Sequence, residues 1–136
     1  APGQGGGGPY VLSARFEDNV LVSDPGVWAR FRREVEARPE FSTHAPTLGW
    51  LHAAFREIRA LAAAPADPTP ALVLLGSEER VVSADAIRAR AARSPAAELL
   101  ELPGARHEPL MEPVDGPVGA RLAPALDAWL DRHAPA

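Results

Sequence analysis

The sequence has no cysteine, which excludes disulfides and thiolate metal sites and fits a reducing compartment. No apolar run approaches the roughly 20 residues of a membrane span, and no charged-then-apolar leader opens the chain. Excess positive charge is missing too. Fourteen basic residues against 18 acidic ones leave a net charge of −4, which argues against a nucleic-acid surface. No pair of histidines has metal-ligand spacing. No cofactor is expected. Also absent is G-x-S-x-G, the sharp strand-to-helix turn that exposes a nucleophilic serine beside oxyanion-holding amides. The compartment these absences point to is the cytoplasm.

What remains has the composition of one globular domain: 136 residues, 46% hydrophobic and 24% charged. Residues 1–24 form a glycine-rich and then extended lead-in. Gly3, Gly5 and Gly8 fit G-x-G-x-x-G, but no strand precedes them and no helix follows, so a dinucleotide site is not supported. Asp24-Pro25 is a strong helix start, followed by Trp28, Phe31 and Val35 on one face and ended by Arg38-Pro39. A second helix runs from Pro46-Thr47 to about Ala64, with Leu48, Leu51, Phe55, Ile58 and Ala62 along its seam. Residues 25–64 therefore read as a helical pair, either a hairpin covering a core or a cap over an apolar pocket. The arginines at 30, 32, 33, 56, 59, 88, 90 and 93 alternate with acids or alanines and read as solvated, ion-paired faces.

From residue 65 onward the organisation changes. Ala71-Leu72-Val73-Leu74-Leu75 is short, continuously apolar and bounded by Pro70 and Gly76, which suits a strand buried on both faces. Ser83 caps a helix over 84–93, and Leu99–Leu102 forms a second strand, completing a parallel βαβ unit. A last helix presents Val118, Leu122, Leu126, Trp129 and Leu130 on one face and ends at His133. Two strands and four helices leave sheet edges unpaired, so the chain reads as the C-terminal portion of a larger α/β domain.

Each strand ends in a glycine turn bearing a chemically useful side chain. Gly76-Ser77-Glu78-Glu79 follows the first, and Pro103-Gly104-Ala105-Arg106-His107 follows the second. Chemistry in an open α/β sheet gathers at the carboxyl ends of parallel strands, and a carboxylate orienting a histidine makes two thirds of a hydrolytic triad. His107 is the candidate base. Position alone does not separate Glu79 from Glu78, and Glu108 reads as a solvated or structural charge. His44 and His52 fall in the helical pair and read as packing or surface groups, while His133 suits a helix C-terminus electrostatically. The serines at 13, 23, 42, 77, 83 and 94 all lack the nucleophile elbow, and Ser77 occupies the turn that carries the acid.

At these positions the chain resembles the α/β-hydrolase superfamily, in its bacterial lysophospholipase and monoacylglycerol-lipase branch. The matching stretches are Asn19-Val20-Leu21-Val22-Ser23-Asp24-Pro25, Pro46-Thr47-Leu48-Gly49-Trp50-Leu51, Leu72 through Ser83, and Pro103 through Glu108. Together they span most of residues 15–133. The resemblance implies that Glu79 is the catalytic acid, where Asp is usual, and that His107 is the general base. It also favours the cap reading of residues 25–64. A serine upstream of Ala1 would then be the nucleophile, in the order Ser, acid, His. The implied substrate is a small-molecule ester or lipid, such as a lysophospholipid or monoacylglycerol, met in transient contact with a membrane surface. On this reading the 136 residues alone are inactive and need the N-terminal half of the hydrolase domain. A peptidase or small-ester esterase of the same fold, or a non-catalytic interaction module, remains the alternative.

Overall fold

The computed structural model describes residues 9–42 and 46–133, so Gly3, Gly5, Gly8 and His44 lie outside the described residues. Within them the chain is mixed α/β, with five helices and a two-stranded parallel sheet. No described helix is long and apolar enough to cross a membrane. Two compact units are present: residues up to Asn19 with Trp28–Pro65, and Val20–Val27 with residues from Ala66 onward.

The first unit is helical. Residues 10–13 do not extend as the sequence suggests; they form a short helix α1 (Tyr10–Ser13). Pro9 offers its carbonyl to the amides of Leu12 and Ser13, and the Ser13 hydroxyl donates back to Tyr10, so local bonds outcompete an isolated strand. Helix α2 spans Pro25–Ala37. Asp24 Oδ1 accepts from the Val27 amide at 2.8 Å, a side-chain N-cap, and Arg30–Glu34 and Arg32–Glu36 pair one turn apart. Trp28 is buried with the Tyr10 ring edge-on to it, centroids 6.1 Å apart. Helix α3 spans Leu48–Ala63 and is capped by Thr47, whose hydroxyl accepts from Trp50 N. No residue of α3 is buried, and Leu48, Trp50, Phe55 and Ile58 are all more than half exposed, so α2 does not cover the α3 seam within this unit. The amphipathic pattern set the helix, but the rest of its own unit does not supply the surface that would cover it.

The second unit holds the sheet. Strand β1 (Ala71–Gly76) pairs in parallel with β2 (Ala97–Leu102), Ala71 opposite Ala97 through to Gly76 opposite Leu102. The second strand starts two residues before the expected Leu99, because the register carries Ala97 and Glu98 into the ladder. Nor is β1 buried on both faces. Leu72, Val73 and Leu74 are only half-buried, since one partner strand covers one edge, and burial is complete only at Leu75 and Gly76. Helix α4 (Ala84–Arg93) bridges the strands, with Ser83 Oγ accepting from Ala86 N. Arg88 reaches from it to Glu101 at 2.8 Å and to Asp85 at 3.2 Å. Helix α5 (Gly119–His133) sends Leu122 and Leu126 inward behind Val118, although it carries Pro124 in its interior. Leu102, Ala105, Val118 and Leu122 form the core, with Leu74, Leu100 and Leu126 packed against them. Full burial of each Leu or Val side chain contributes about 1.5–3 kcal/mol. The core thus lies directly beneath the turn that follows β2.

Candidate active site

Two turns leave the carboxyl ends of β1 and β2 and are bonded to each other. Ser77 N donates to Leu102 O and Glu78 N to Ala105 O, both at 3.0 Å, and Gly104 N donates to Ser77 Oγ at 2.8 Å. Gly104 has φ +77°, the left-handed conformation that glycine adopts without cost. At Gly76 the constraint is contact rather than φ. A β-carbon there would stand 2.3 Å from the carbonyl oxygens of both Ala105 and Arg106. Only a glycine lets the acid-bearing turn approach the histidine-bearing one this closely.

The approach brings Glu79 and His107 together. His107 Nδ1 lies 2.7 Å from Glu79 Oε2. The other oxygen, Oε1, accepts from the amides of Val81 at 2.6 Å and Val82 at 3.1 Å. These bonds fix the plane of the carboxylate, and the side chain of Glu79 is only 5% exposed. Burial pushes the carboxyl pKa up. The hydrogen bond from His107 and the amides of Val82 and Val81 outweigh it and hold the pKa below the usual carboxylate value. Glu79 is therefore ionised at neutral pH and can only accept, so Nδ1 carries the hydrogen. Nε2 is then the free basic nitrogen. It makes no hydrogen bond among the described residues, and the His107 side chain is 29% exposed.

The turn also separates the adjacent acids. Glu78 points away from His107 to Arg106, 3.7 Å distant, and Arg106 in turn donates to Val22 O. Glu108 is exposed, as its neighbours in sequence suggest. His52 is exposed on α3, and His133 stacks on Trp129 and reaches Glu98 at 3.4 Å. Among the described residues no group of three His, Cys, Asp or Glu could hold a metal. None of the six serines hydrogen-bonds His107, and the Ser77 hydroxyl is spent on Gly104 N.

One element of the site was covered by the resemblance but not assigned to the site from the sequence. Residues 20–23 lie along the His107 turn: His107 N donates to Val20 O at 3.2 Å and Glu108 N to Leu21 O at 2.8 Å. Buried Glu112 accepts from Ser23 N. The residues themselves gave an apolar Val20-Leu21-Val22 stretch without a clear period, and the resemblance over residues 19–25 did not tie it to His107. Comparison with family models, curated proteins and solved structures gave no match, so the reading of this site stands on its geometry.

Proposed function

We propose that Glu79 and His107 are the acid and the general base of a serine carboxylic-ester hydrolase with an α/β-hydrolase core. The observation that carries this reading is the bond from Nδ1 to Oε2, made to a carboxylate whose second oxygen is held by two amides. Such a carboxylate fixes the tautomer and orientation of the ring and stabilises the imidazolium that forms in the reaction. A serine, supplied by a segment outside these residues, attacks the ester carbonyl while Nε2 takes its proton. Nε2 then passes that proton to the leaving alcohol, and water repeats the sequence on the acyl-enzyme.

Lysophospholipids or monoacylglycerols are the proposed substrates. The resemblance of residues 19–25 and 46–51 to that branch supports this, as does a helix α3 that offers Leu48, Trp50, Phe55 and Ile58 as apolar surface. Val81, Val82, Leu110 and Met111, next in sequence to the pair, are also exposed and could be covered by further chain or by substrate. The test is ester hydrolysis across a series of acyl lengths by the product of the reading frame extended upstream. The expected outcome is turnover that rises with chain length and is abolished by His107→Ala. Turnover confined to short esters would indicate a small-ester esterase, and no turnover on any ester would favour a non-catalytic module.

A further inference from the structure

Four consecutive residues strap the turn that carries His107. Val20 O accepts from His107 N, Leu21 O from Glu108 N, and Val22 O from Arg106 Nη1 at 3.1 Å. At the end of the strap the direction reverses, and Ser23 N donates to Glu112 Oε1 at 2.5 Å. Glu112 closes the short 3₁₀ turn Pro109–Met111 that follows His107, and it is 8% exposed. No arginine or histidine among the described residues lies within ion-pair distance of it. A buried polar side chain is costly unless its hydrogen-bond partner is well placed, and a lost acceptor leaves the donor amide unsatisfied. Here the bond from Ser23 N ties the far end of the strap to the segment just beyond His107.

We infer that Glu112 is a positioning residue: it docks the strap 20–23 on the His107 turn and so keeps the imidazole on Glu79. The inference rests on the proposed roles of Glu79 and His107, but it is measured without substrate. In the strap, Val22 is fully buried and anchors the middle, so the Glu112 bond governs the end that leads into Asp24.

The test is NMR on the 136-residue chain and its Glu112→Ala and Glu112→Gln variants. Two quantities are read: the downfield Nδ1 proton of His107 and exchange protection of the His107 and Glu108 amides. Glu112→Ala should lose or broaden the Nδ1 resonance and lower the protection by about tenfold, the weight of one lost buried acceptor. Glu112→Gln keeps an acceptor and should restore both. Wild-type values in Glu112→Ala would overturn the proposal, because the carboxylate would then serve the 3₁₀ turn alone. Absence of the Nδ1 resonance from the unmodified chain would overturn the pair itself and the positioning role with it. Should Glu112→Ala fail to fold, Ser23→Pro deletes the donor instead and must reproduce the two losses. Loss of fold in both variants would overturn the role too, making the contact core structure. Ester turnover is not read, so failure of the hydrolase proposal is distinguishable from failure of this one.

Discussion

At the scale of single residues, the site depends on one carboxylate being buried, ionised and the acceptor of three hydrogen bonds. Its pKa lies below the ordinary value, so the ionised form stabilises the folded chain. That contribution is fully present above the ordinary carboxylate range and is lost as pH falls through the lowered folded-state value. Glu79→Gln should therefore cost about 1.5–3 kcal/mol at neutral pH, the worth of hydrogen bonds to a charged group, and much less in acid. Urea unfolding at the two pH values checks this, and an equal cost at both would contradict it. The glycines separate by mechanism. Gly76→Ala drives a β-carbon into two carbonyl oxygens and should cost about 3 kcal/mol or more. Gly104→Ala meets nothing within 4 Å and pays only for a positive φ, about 1–2 kcal/mol. Thermal unfolding of the two variants gives the order directly. The sequence offered Glu78 and Glu79 as equals, because spacing does not tell which way a turn aims adjacent side chains. The amides of Val81 and Val82 decide it, and they become visible only when the backbone closes over Oε1.

At the scale of elements, caps and breakers were legible where the bonds are local. Asp24, Thr47 and Ser83 each cap a helix, and the helix ends fall within a residue or two of the sequence reading. The failures are non-local. An apolar seam marks a helix but does not name what covers it, and the α3 seam is uncovered within its own unit. Strand β1 has a buried strand's composition and a half-covered strand's environment for the same reason. The stability of the chain should follow burial rather than hydrophobicity. Leu122→Ala, in the core beside Leu102 and Val118, should cost about 2–5 kcal/mol. Phe55→Ser on α3 should change stability by about 0.5 kcal/mol or less, as exposed substitutions do. Paired urea titrations decide this, and a large loss from Phe55→Ser would mean that α3 is covered in solution.

At the scale of the molecule, the βαβ order and the two glycine turns were enough to bring an acid and a histidine to one end of the sheet. The strap was not legible, since Val20–Ser23 meets the His107 turn more than 80 residues away in sequence and through backbone groups common to every residue. In the proposed function these residues hold the acid and the base of a serine hydrolase, and the nucleophile comes from a segment outside them. Fluorophosphonate labelling with peptide mapping tests it most directly, on the 136-residue chain and on the product of the reading frame extended upstream. The shorter chain should stay unlabelled, whereas the longer product should label at one serine preceding Ala1 and lose that label with His107→Ala. Labelling of the shorter chain at Ser23, Ser77 or another internal serine would contradict it and move the nucleophile inside the structure described.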